Sequence, residues 1–138
     1  MHTGIRWFVY GALILTFSFI SGCGGGATDS DNAGLAVAAK TASWAPPATF
    51  SDGTPLNPTA DLSNYEIFVK ESGSFSEADT PTAIVSAVDP QTNQVTTSFN
   101  LANLGPFLQK GVTYYVSMRA VALDGLKSAF SAPASFSL

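Results

Sequence analysis

Two stretches of this 138-residue chain limit its folding choices more than any others: YEIFVKE at residues 65–71 and YYVSMRAVA at residues 114–122. In the first, Tyr65, Ile67 and Val69 alternate with Glu66, Phe68 and Lys70. In the second, Tyr114, Val116, Met118, Ala120 and Ala122 alternate with Tyr115, Ser117, Arg119 and Val121. Successive side chains of an extended strand point to opposite faces, so a period of two marks strands with one face on a core. No segment beyond about residue 35 carries a convincing helical stripe. Turn residues punctuate the chain instead, at PPATFSDGTPLNP, ESGS, DPQTN, QKG and LDG. Short strands separated by such turns predict an all-β fold over residues 35–138, an antiparallel β-sandwich of about seven strands.

The beginning of the chain follows a different rule. Arg6 is followed by Trp7 to Ile20, a run without any charge and rich in Phe, Leu and Ile. A positive start and then an apolar core is the order of a secretory signal helix. The run is short for a permanent span, which needs about twenty apolar residues to cross roughly 30 Å of hydrocarbon. Ser21 and Gly22, small enough for a peptidase cleft, then precede Cys23, the single cysteine of the chain. Ile20-Ser21-Gly22-Cys23 resembles the bacterial lipobox, with Ile where Leu is commonest. The resemblance implies a lipoprotein signal peptide over 1–22, removed to leave Cys23 first, with a diacylglycerol on its thiol and usually a further acyl chain on its amine. Each buried methylene contributes about 0.8 kcal/mol, so two or three such chains hold a protein on a membrane. A bystander cysteine in an ordinary signal peptide and an uncleaved anchor are the alternatives the same residues allow. With one cysteine, no internal disulfide framework exists.

Residues 23–34 form a lipidated cysteine and a Gly-rich tether, CGGGATDSDNAG. Its eleven residues after Cys23 span about 17–20 Å as a flexible chain. Asp29, Asp31 and Gly34 match the first, third and sixth positions of a calcium loop, but Lys40 stands where the bidentate Glu belongs. A solvated linker is the better reading.

Removal of 1–22 also removes His2, the only histidine. What remains carries Lys40, Lys70, Lys110, Arg119 and Lys127 against ten acidic residues. An acidic domain with scattered cations lacks the basic stripe that neutralises phosphates, so nucleic acid is not an expected partner. Without histidine there is no base for a triad, zinc and copper lose their usual ligands, and no metal or cofactor is expected. Glu77 and Asp79, two apart in SGSFSEADTP, are the remaining pair, and they read as loop decoration sooner than as glycosidase carboxylates facing each other across a sugar.

Several pieces, in order, resemble the fibronectin type III domain of the immunoglobulin-like class. Ser43-Trp44-Ala45-Pro46-Pro47 looks like the end of its second strand, with tryptophan in the core and prolines stopping the strand. Asp52-Gly53-Thr54-Pro55-Leu56 and then Tyr65-Glu66-Ile67 look like the following loop and third strand of its bacterial members. Leu108-x-x-Gly111-x-x-Tyr114 is similar to the approach to the sixth strand, and the resemblance implies that the Tyr114 hydroxyl ties a loop to the backbone. Asp124-Gly125 would turn towards a last strand near Phe130 to Leu138. Three positions depart from the pattern. Lys40 falls on inward parity and must snorkel near the strand end. Lys110 replaces a common proline, and the first strand is weakly marked, with GLAVA at 34–38 its best candidate. Another sandwich topology shares the same alternation.

These readings imply a non-catalytic binding or scaffolding module, anchored to the membrane through lipid on Cys23 and contacting an envelope protein or a polysaccharide. Gly24, where enteric bacteria often place Asp to retain a lipoprotein at the inner membrane, favours the outer membrane by resemblance. An enzyme or accessory subunit acting on polysaccharide, and a structural lipoprotein without a specific ligand, are the competing classes. Parity adds a candidate partner surface. Phe68, Tyr115 and Arg119 fall on the outward faces of two neighbouring strands, and aromatics with Arg dominate binding hot spots.

Overall fold

A computed structural model describes residues 15–17 and 40–138. Its described residues form seven strands in two antiparallel sheets. The first sheet contains β1 (Leu15–Phe17), β2 (Thr41–Trp44) and β5 (Ser98–Asn100), in the order β1-β2-β5. The second contains β3 (Leu62–Lys70), β4 (Ala83–Ser86), β6 (Thr113–Ala122) and β7 (Ala134–Ser137), in the order β4-β3-β6-β7.

Strand parity follows the alternation. Tyr65 and Ile67 of β3 enter one core with Tyr114, Val116, Met118 and Ala120 of β6, and Val69 packs against it; Ala122 is buried as well. Ala42 and Trp44 reach the same core from β2, so it lies between the sheets and the architecture is a sandwich. Lys40 sits just before β2, half-buried, as its position at a strand end requires.

Two ends of the sandwich are defined by the connections. At one end, residues 45–61 pass from β2 to β3, and the Leu123 N–H after β6 donates to the Asp61 carbonyl. Gly53 and Gly125 turn the chain there with φ of 80° and 85°, a left-handed conformation that favours glycine. At the opposite end, residues 101–112 cross from β5 to β6, where the Leu101 N–H bonds to the Lys40 carbonyl.

Three features differ from the sequence reading. Short helices interrupt the β pattern: α1 (Pro58–Asp61) and a 3-10 helix at Leu101–Phe107. Local chemistry explains both. Asn57 and Asn100 cap them by accepting the Thr59 and Ala102 N–H groups. Pro58 suits the first helical turn, and Leu101 and Leu104, one 3-10 turn apart, both face the core. Secondly, the expected last strand starts late. Residues 126–131 already follow β6, but Ser128 and Ser131 hydroxyls accept the Ala120 and Met118 N–H groups at 2.9 and 3.1 Å, in place of a regular ladder. Thirdly, β1 comes from the apolar run near the start of the chain, pairing Leu15 with Trp44 and Phe17 with Ala42. The expected first strand, GLAVA, lies outside the described residues.

Candidate partner surface

The outer face of the four-stranded sheet holds the residues that parity selected. β3 and β6 pair in register, with Glu66 opposite Arg119, Phe68 opposite Ser117 and Lys70 opposite Tyr115. The sheet therefore brings Phe68, Tyr115 and Arg119 onto one face. It does not expose them. Phe68 is 1% and Arg119 3% exposed, while Tyr115 is half-buried with Gly73 against its ring. The expected open patch is corrected to a covered one.

Two loop phenylalanines provide the cover. Phe75, between β3 and β4, and Phe130, between β6 and β7, lie edge-on to Phe68 with centroids 6.5 and 5.0 Å away. The Arg119 guanidinium sits 5.2 Å from the Phe68 ring and 4.9 Å from the Phe130 ring, where the ring quadrupoles attract it. Covering an aromatic face with aromatic rings removes apolar area from water, which an exposed patch would leave hydrated.

A charge network closes the same face. Arg119 Nε donates to Glu66 Oε2 at 2.6 Å, Nη1 donates to Glu77, and Lys127 Nζ donates to Glu66 Oε1 at 2.9 Å. Burial pushes the Glu66 carboxyl up, but the bonds from Lys127 and Arg119 outweigh it and hold the group below its ordinary value. For Arg119, burial works against the cation and its bonds to Glu66 and Glu77 favour it, leaving the guanidinium above its usual value. Beside this network, Lys70 donates to Asp79 at 2.7 Å and to the Ser74 carbonyl at 3.2 Å. The Lys70 bond and the Ser76 N–H hold the Asp79 carboxyl below its ordinary value. Glu77 and Asp79 are thus each committed to a cation, and together they pin residues 71–82 onto the sheet.

Sequence parity missed Phe75, Phe130, Glu77 and Lys127 as parts of this face. A signal existed for the two rings: each is a lone phenylalanine in a polar segment, SGSFSEA and KSAFSAP. Such a residue needs apolar cover of its own, and the only available cover is a sheet face.

The other surface features lie at the ends. A cleft beside Phe50, Asp61, Leu123 and Asp124 marks the end with the glycine turns. A second, beside Lys70, Glu71, Phe107 and Tyr114, marks the opposite end. Large apolar side chains left exposed among the described residues are Ile84, Phe107 and Leu123. No group of three or more metal-ligating side chains occurs among the described residues, and no helix among them is long and apolar enough to cross a membrane. Cys23 lies outside the described residues. No protein-family model, no curated protein and no solved structure matches this chain.

Proposed function

We propose that the chain is a lipid-anchored bacterial envelope protein that presents one fibronectin type III-like sandwich as a non-catalytic binding or scaffolding module. The observation that carries the anchor is Ile20-Ser21-Gly22-Cys23, placed directly after an uncharged apolar run and before a Gly-rich tether. Thiol chemistry explains why that position is a cysteine. A thiolate is a far better nucleophile than a hydroxyl and accepts the diacylglyceryl group.

The fold supports the module half of the proposal. The orders β2-β5 and β4-β3-β6-β7, which remain once residues 1–22 are removed, support the reading as a fibronectin type III-like sandwich. The Tyr114 hydroxyl accepts the Gln109 N–H at 3.0 Å, the loop tie that the resemblance implies. Trp44 fills the core at the end of β2. The contact made by the module is to a protein or a polysaccharide of the envelope, and Gly24 favours the outer membrane.

Replacement of the anchor residue tests this reading. Cys23→Ser is expected to leave a precursor that keeps residues 1–22 and carries no acyl chain, while wild type is processed, acylated and retained in the membrane fraction. Equal processing and equal membrane retention of the variant would contradict lipid attachment at Cys23.

A further inference from the structure

We infer that residues 71–81 are a displaceable strap, an internal ligand of the sheet face beneath it, and that a partner of the same chemistry takes its place: an acidic extended peptide with an aromatic side chain followed by carboxylates. Such a contact deepens the binding-module half of the proposed function. It depends on β3, β6 and the two segments that cover them, whether or not Cys23 is acylated.

The two covers of the face are held in different ways. Residues 126–131 are bonded along β6 by their backbone: the Ser128 and Ser131 N–H groups donate to the Ala120 and Met118 carbonyls, and the Ala122 N–H donates to the Leu126 carbonyl. Among the described residues, no backbone hydrogen bond joins residues 71–81 to the sheet, and the main-chain contact resumes where the Thr82 N–H donates to the Ile67 carbonyl at 2.7 Å. Side chains hold the strap instead. Phe75 reaches Phe68 and Phe130 with ring centroids 6.5 and 6.2 Å away, Glu77 accepts from Arg119, and Asp79 accepts from Lys70 at 2.7 Å. Both ion pairs meet water, since the Glu77 side chain is 78% exposed and Lys70 is partly exposed. Ion pairs in water contribute little, so a segment held this way opens far more readily than one bonded along a strand.

The face beneath is shaped for what the strap supplies. With Glu77 and Asp79 lifted away, Arg119, Lys127 and Lys70 stand against the Glu66 carboxylate beside the Phe68 and Phe130 rings, whose centroids are 5.0 Å apart. Glu66 still holds Arg119 at 2.6 Å and is itself held by Lys127 at 2.9 Å, so the guanidinium stays in place with Nη1 free for another carboxylate. Glu71, at the root of the strap, lines the cleft beside Phe107. Phe75-Ser76-Glu77-Ala78-Asp79 spells out the complementary pattern, a ring and then carboxylates two and four residues on. An uncharged polysaccharide leaves the cations without partners, and an acidic one has no aromatic ring for the seat that Phe75 leaves. The strap competes from within at high local concentration, so a free ligand meets an open face only in proportion to the time the strap is off.

The test titrates isotope-labelled full-length protein, purified in detergent, with the unlabelled peptide SGSFSEADT, the sequence of residues 72–80. Controls are the same peptide with Ser for Phe and amides for its acids, and trigalacturonate. Phe75→Ser/Glu77→Gln loosens the strap without touching the core between the sheets. The peptide is expected to bind this variant saturably, shifting the Arg119 Nε–H and Phe130 ring signals, at least about tenfold more tightly than it binds wild type, while the altered peptide binds neither. No saturable binding to the folded variant, equal affinity for variant and wild type, or equal binding of the altered peptide would each overturn the inference. Loss of native Trp44 emission in the variant would show that the strap is part of the fold and cannot be displaced, which overturns it as well. Tighter binding of trigalacturonate would overturn the peptide while keeping the binding-module reading, and the acyl mass at Cys23 tests the anchor separately.

Discussion

Arg119 shows how much of this protein's surface chemistry is decided by what lies above a side chain. Parity alone puts it on an outer face, yet two rings and two carboxylates enclose it. A buried cation is tolerated only with such partners, and removing one leaves charge uncompensated. Glu66→Gln is therefore expected to cost about 1.5–3 kcal/mol at neutral pH, the scale of hydrogen bonds to charged groups. The sign with pH follows from the lowered Glu66 pKa. A carboxylate held below its unfolded value stabilises fully above about pH 4.5 and loses that stabilisation as pH falls through the folded value. Denaturant melts should therefore show the gap between wild type and Glu66→Gln narrowing below that pH. A constant gap across the acid range would place the Glu66 contribution in packing instead of charge. Trp44 is the second decisive residue. It is 4% exposed and meets Tyr65 edge-on at 5.0 Å. Neither the Trp44 indole N–H nor the Tyr65 hydroxyl makes a hydrogen bond of normal geometry among the described residues; burial raises the Tyr65 phenol's pKa, and the adjacent indole N–H lowers it only in part. Trp44→Ala should cost about 3–5 kcal/mol, seen as a loss in the midpoint of chemical unfolding.

At the scale of elements, β2 has the least secure surroundings. One side pairs with β5, where the Trp44 N–H donates to the Thr97 carbonyl at 2.9 Å, and the other side pairs with β1 from the apolar run. N–H groups alternate between the two edges of a strand, so Thr41 and Ser43 face β1 while Ala42 and Trp44 face β5. The proposed removal of residues 1–22 would take β1 away. Hydrogen exchange at Thr41 and Ser43 is then expected to be faster in the chain beginning at Cys23 than in unprocessed Cys23→Ser, with Ala42 and Trp44 equally protected in both. Equal protection of Thr41 and Ser43 would mean that another segment takes the place of β1. The elements also show what the sequence made legible. β3 and β6 were readable because each carries an uninterrupted two-residue alternation with one fully apolar face. The 3-10 helix at Leu101–Phe107 was not, because its core contacts are two leucines three apart, too few to establish a period. Serine hydroxyls standing in for strand carbonyls along β6 leave no pattern in a sequence at all.

At the scale of the molecule, the sandwich and its core could be read from the chain, and the partner surface could not. Inward positions are chosen by one property, apolarity, repeated along a strand. An outer face depends on where distant loops return, and Phe75 and Phe130 return from opposite sides of the sequence to cover Phe68. With that face closed, the large apolar side chains left exposed among the described residues are Ile84, Phe107 and Leu123, away from it. The lipid anchor is the central claim, since the Gly-rich tether takes its meaning from it. Intact-mass measurement of the protein extracted from membranes tests it most directly. Lipid attachment at Cys23 predicts the mass of residues 23–138 increased by two or three acyl chains and the glyceryl group. The unmodified mass of 23–138, or a mass that retains residues 1–22, would contradict it.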